Sequence, residues 1–134
     1  QAPEVWPTAN DVERIFLRST ESFMVIKRAH PRGFDWTDDG CSVPGNLRVS
    51  LRALRFASTT FADQCRQHDF AYRNFGGARD LDPSERRRGE VDRFFLSQMQ
   101  RRCHQADIRR AHRTRRCLAS AYVFYAAVRN FGRL

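Results

Sequence analysis

Apolar residues recur with a helical period in five stretches of the chain and lose it in the segment between the second and third. Val12, Ile15 and Phe16 follow Asn10 and Glu13, a capping-box pattern, so a first helix is expected over about 11–18 and a second over about 20–29. Residues 31–60 carry the breakers Pro31, Gly33, Gly40, Pro44 and Gly45 and read as irregular. Within them LRVSLRAL alternates briefly, which predicts a short strand or hairpin. A long helix should run from about Thr60 to Asn74 and stop at Gly76-Gly77. The next opens at DPSE, with Asp82 as cap, Pro83 in the first helical position and Glu85 completing the box. Val91, Phe94, Phe95 and Met99 carry it to about Arg102. A last helix covers about Arg116 to Asn130, ended by Gly132, with Leu118, Tyr122, Tyr125 and Val128 facing inward. The prediction is an all-α fold in a single domain over 1–134, with two long antiparallel central helices.

The stretch CRQHDFAYRN, residues 65–74, breaks the apolar rule of the third stretch. Cys65, His68, Asp69 and Tyr72 fall at i, i+3, i+4 and i+7, one face of a helix. A short connection makes the two central helices antiparallel neighbours, and His68 and Asp92 lie at comparable distances from the turn. They can therefore meet across the helix pair. Asp92 sits inside the apolar stripe of GEVDRFF, where an unpaired carboxylate is costly, and a histidine partner answers that cost. Such a pair fixes the imidazole tautomer, as a general base requires. A salt-bridged core histidine is the bland alternative, but Asp69 tilts the balance. A second carboxylate cannot serve the same ring and calls for another cation, a hard divalent ion being the natural one. FDWTDDGC, residues 34–41, adds Asp38 and Asp39 in a glycine-containing turn beside Cys41. If Cys41 bonds Cys65, that turn is tied to the His68–Asp69 helix.

Composition narrows the picture. At 134 residues and 41% hydrophobic, the chain can bury a modest core. No apolar run approaches the roughly 18–20 residues of a membrane span. The opening QAPEVWP resembles a mature terminus left by processing. Four cysteines, Cys41, Cys65, Cys103 and Cys117, read as two disulfides in a secreted protein rather than as zinc ligands, because no CxxC pair occurs. The net charge is +9, with Lys27 the only lysine, and arginines cluster at Arg86-Arg87-Arg88, Arg101-Arg102 and from Arg109 to Arg116. That surface suits an anionic partner or serves only as a solvated face. Trp6, Leu51, Leu54 and Phe56 are candidates to enter a lipid interface.

FDWTDDGC, then CRQHDFAYRN, then the Asp92–Phe95–Met99 helix closely resembles the secreted phospholipases A2 of bacteria and fungi. The likeness runs from about Phe34 to Cys103 and more weakly into the last helix. It implies calcium-dependent hydrolysis of the sn-2 ester of glycerophospholipids at a membrane or micelle surface, by a secreted monomer with no nucleic-acid partner. His68 would be the base that activates water and Asp92 the carboxylate that orients it. Asp69, Asp39 and the Gly40 carbonyl would bind Ca²⁺, with Asp38 an alternative to Asp39. The family's disulfides imply Cys41–Cys65 and Cys103–Cys117. The rival reading is a non-catalytic basic scaffold that binds a receptor, an anionic membrane or nucleic acid.

Overall fold

The computed structural model describes residues 7–41 and 50–133, with Leu51 described by its backbone alone. Among the described residues there are seven helices and no strand. They are α1 (Ala9–Phe16), α2 (Thr20–Ala29), α3 (Leu51–Thr60), α4 (Ala62–Phe75), α5 (Glu85–Cys103), α6 (Ala106–Arg110) and α7 (Thr114–Phe131). The all-α expectation holds.

Several boundaries move, each for a local reason. The capping box of α1 is formed by Thr8 and Asp11 rather than Asn10 and Glu13: the Asp11 amide donates to Thr8 Oγ1 and the Thr8 amide to Asp11 Oδ2. Ser84, not Asp82, caps α5 and accepts from the Arg87 amide, so Pro83 lies outside the helix. Asp82 instead takes the Arg87 guanidinium at 2.9 Å. The expected strand in LRVSLRAL is overturned from Ser50 onward. Ser50 caps α3, and Leu54, Ala57 and Phe61 then fall at helical spacing on the core side; residues 47–49 lie outside the described residues. Phe61 closes α3 and opens α4, so the chain turns there instead of running on as one rod.

α4 and α5 run antiparallel through the middle of the fold. Arg102 reaches the Thr60 carbonyl at one end, His68 meets Asp92 midway, and Arg87 covers the Phe75 ring at the other. Two apolar clusters flank this pair. One joins Ala57, Phe61, Cys65, Phe95, Met99, Cys103, Cys117, Ala121 and Phe124; the other joins Val12, Phe16, Phe23, Trp36, Phe70, Phe75 and Val91. His68 and Asp92 lie at the seam: Cys65 and Ala71 flank His68 by one turn, and Val91 and Phe95 neighbour Asp92.

Both disulfides form, Cys41–Cys65 and Cys103–Cys117, with Cα separations of 5.2 and 5.5 Å. No cysteine is left free, which removes the zinc alternative. Closing loops of this length stabilises the fold by about 3 kcal/mol each, chiefly by restricting the unfolded chain. The inward face of α7 is Cys117, Ala121, Phe124 and Ala127, not the expected Tyr122 stripe; Tyr122 is 55% exposed. Leu118, Tyr125 and Val128 are half-buried. Among the described residues no helix is long and apolar enough to cross a membrane.

Candidate active site

α4 delivers its polar stripe to one side. His68 is buried, and its Nε2 lies 2.9 Å from Asp92 Oδ1 across the α4–α5 contact. The ring is wedged between Tyr72 and Phe95, with centroids 4.2 and 4.4 Å away. A carboxylate can only accept, so Nε2 carries a proton, and in the neutral ring Nδ1 then holds the lone pair. His68 also lines a cavity of about 350 Å³, and Nδ1 is the ring nitrogen left for it.

Asp92 is fully buried, and a buried carboxylate is tolerated only when its lone pairs and charge are met. Tyr72 donates its hydroxyl to Oδ1 at 2.6 Å. Oδ2 accepts from Arg129 Nη1 at 2.8 Å and, more weakly, from Arg88 Nη1 at 3.5 Å. Burial, with the Asp92 carboxylate adding to it, pushes the Tyr72 phenol far above its ordinary value, so it stays a donor. Tyr72, which the sequence places on the same helix face as His68, thus joins His68 on Asp92 Oδ1. The two arginines were missed. Arg88 stands four residues before Asp92, a spacing that invites an ion pair on a helix; Arg129 gives no such local signal, because only the docking of α7 brings it there.

The acidic turn is held from three directions. Asn74 accepts the Asp35 amide on Oδ1 and donates Nδ2 to the Asp35 and Phe70 carbonyls. Trp36 stacks on Phe70 at 4.6 Å, and Cys41 is bonded to Cys65. Lys27 donates to the Trp36 carbonyl and to Asp38 Oδ2 at 3.0 Å. Asp38 is therefore turned to a cation the chain already supplies, with Arg66 at 3.9 Å on its other oxygen. Asp39 faces the other way: its amide donates to Asp69 Oδ2 at 3.1 Å, and its carboxylate lies 3.8 Å from Arg73. Gly40 follows at φ 69°, a left-handed conformation that glycine adopts without strain.

Asp69 differs sharply from Asp92. Burial and the neighbouring Asp39 carboxylate push its pKa up to about 7. The half-buried Asp69 and the exposed Asp39 beside it repel, and a hard cation would relieve both. Among the described residues no three His, Cys, Asp or Glu side chains are grouped to hold a metal ion. The side chains brought together here, Asp39 and Asp69, offer oxygen only, the donor type that Ca²⁺ takes.

Much of the remaining cavity wall is apolar, with Phe95 from α5 and Phe124, Ala127, Val128 and Phe131 from α7, while Arg73 and Arg133 also line it. Phe131 is 45% exposed at its edge. Of the residues expected to enter lipid, Leu54 and Phe56 instead pack against the core; Trp6 and the Leu51 side chain lie outside the described residues.

Comparison with known proteins agrees with this geometry. A family model described as prokaryotic phospholipase A2 matches residues 12–132. A secretory phospholipase A2 of Beauveria bassiana (strain ARSEF 2860) is 30% identical over 106 residues, covering 79% of this chain and 48% of that protein. The chain thus spans about half the length of the curated relative it matches. With the match running from α1 to the end of α7, the chain belongs to the prokaryotic phospholipase A2 family.

Proposed function

We propose that the chain is a secreted, calcium-dependent phospholipase A2 that hydrolyses the sn-2 acyl ester of glycerophospholipids. The observation that carries this reading is the buried His68–Asp92 pair opening, beside the Asp39–Asp69 carboxylates, on an apolar-walled cavity. The four cysteines, all paired, and the secretory relative support an oxidising, extracellular setting.

In the proposed reaction His68 Nδ1 takes a proton from a water molecule as that water attacks the ester carbonyl. Asp92 accepts from Nε2, holds the ring in the required tautomer and balances the imidazolium that forms. The same proton then passes from His68 to the departing glyceryl oxygen. No serine or cysteine nucleophile is needed; every cysteine is in a disulfide. Asp39, Asp69 and the Gly40 carbonyl would hold Ca²⁺, which when bound supplies positive charge to the substrate phosphate and to the developing oxyanion. Phe95, Phe124, Val128 and Phe131 offer an apolar wall to the acyl chain. The reading takes 1–134 as one monomeric catalytic domain, drawn to anionic lipid surfaces by its net charge of +9.

The test is fatty-acid release from phospholipid vesicles with millimolar Ca²⁺, with chelator, and with His68→Gln. Release in the first case alone is expected. No release by the unmodified protein would overturn the proposal, and release by His68→Gln would overturn the assignment of the base.

A further inference from the structure

The end of α7 is joined to both oxygens of Asp92. On Oδ2, Arg129 donates Nη1 at 2.8 Å while its Nη2 holds Glu85 at 2.7 Å. On Oδ1 sits the Tyr72 hydroxyl, and Gly132 lies against it: a Cβ at Gly132 would fall 2.7 Å from that oxygen and 2.5 Å from the Val128 carbonyl. Arg88 closes the arrangement. Its guanidinium donates to the Val128 and Arg129 carbonyls at 2.9 and 3.2 Å and to both oxygens of Glu85. The last carbonyls of a helix run short of intrahelical donors; the Val128 carbonyl also takes the Gly132 amide, and Arg88 from α5 supplies a donor to Arg129.

We infer that Arg129 is a positioning residue for the proposed hydrolysis, setting the plane of the Asp92 carboxylate and seating the α7 wall of the cavity through one contact. The inference rests on the phospholipase reading. A carboxylate bound at one oxygen only can turn about its Cβ–Cγ bond; bound at both, it presents Oδ1 to His68 Nε2 in one orientation. Without Arg129, Oδ2 keeps only Arg88 at 3.5 Å, a distance at which little hydrogen-bond energy remains. Ala127, Val128 and Phe131, from the same two turns of α7 as Arg129, line the cavity. Seating of this wall and aim of the base therefore depend on each other.

The experiment measures kcat and KM on a monomeric short-chain phosphatidylcholine for the wild type, Arg129→Gln, Arg129→Lys and the control Arg110→Gln, with thermal unfolding of each. Arg110 is exposed and remote from the cavity, and its replacement removes the same charge. Arg129→Gln is expected to lower kcat about 10- to 100-fold, as a small misplacement of a reacting group does, with KM within about twofold. Arg129→Lys, and low millimolar guanidinium added to Arg129→Gln, should recover part of the loss, and Arg110→Gln should match the wild type. A kcat for Arg129→Gln within about twofold of wild type, or a loss confined to KM, overturns the inference while leaving the phospholipase reading intact. An inactive wild type overturns both. Should Arg129→Gln fail to fold, Arg129→Lys carries the test, and an undiminished kcat in it overturns the inference.

Discussion

Two aspartates stand on either side of His68, and the chain treats them oppositely. Asp92 has no exposed surface and takes four donors: imidazole, phenol and two guanidinium groups. Asp69 is half-buried, takes the Asp39 amide, and has the Asp39 carboxylate beside it. Desolvation burdens both, yet Asp92 has two guanidinium groups on one oxygen, whereas Asp69 feels only the weaker pull of Arg73, outweighed by burial and Asp39. Asp92 therefore reads as a completed internal part and Asp69 as a place prepared for a cation from solution. A milder form of the contrast repeats in the turn itself, where Asp38 holds Lys27 at 3.0 Å and Asp39, beside Asp69, has Arg73 only at 3.8 Å.

The largest effect should come from breaking the completed side. Asp92→Asn removes the charge that faces Arg129 and Arg88 and puts an amide donor where two donors already point. Breaking a buried pair from one side costs about 3 kcal/mol or more. Denaturant unfolding should show that loss, and fatty-acid release should fall by about two orders of magnitude or more through the misdirected base. Calcium affinity, read by titration calorimetry on the folded protein, should stay near wild type. Unaltered stability would mean that the arginines do not depend on Asp92.

Asp69→Asn should do the reverse. It removes a like charge, so the metal-free protein should unfold at the same temperature as wild type or slightly above it. Calcium affinity should drop by about tenfold or more, since one of the two proposed carboxylate ligands would be gone. Turnover at saturating calcium should then recover in part. A wild-type affinity would move the metal away from Asp69, and a large loss of metal-free stability would erase the distinction between the two aspartates.

How much of this was legible follows the range of the interactions. CRQHDFAYRN announced itself because His68, Asp69 and Tyr72 share one helix face with Cys65, and a buried polar face needs a local reason. The Asp92 partner followed from an antiparallel helix pair and a short turn. The α7 register did not. Its inward face is made of Cys117, Ala121 and Ala127 with one phenylalanine, whereas the larger Tyr122 points outward. Alanines bury little area each, so the pattern of bulk misled, and with the wrong register Arg129 could not be aimed at Asp92. α3 failed for a related reason: the alternation of Leu47, Val49 and Leu51 ends where Ser50 caps a helix. Caps moved by two residues because Thr8 and Asn10, and likewise Asp82 and Ser84, are equally good capping types within one turn.

The smallest and most discriminating change is Tyr72→Phe. Tyr72 belongs to both neighbourhoods: it lines the cavity with Asp69, yet its hydroxyl donates to Asp92 at 2.6 Å. Removing that hydroxyl leaves Oδ1 with His68 alone and empties the small space under Gly132, while the ring keeps its packing against the imidazole. The expected loss is about 1 kcal/mol of stability, the net value of one hydrogen bond, larger if the bond's charged acceptor dominates. Turnover should fall only a few-fold, because His68 and Arg129 still hold the carboxylate from two sides. Calcium affinity should not move, since the hydroxyl serves Asp92. A shift in the calorimetric affinity of Tyr72→Phe would show that the two carboxylates are wired together through this phenol, and the division between a completed and a waiting aspartate would have to be redrawn as one coupled network.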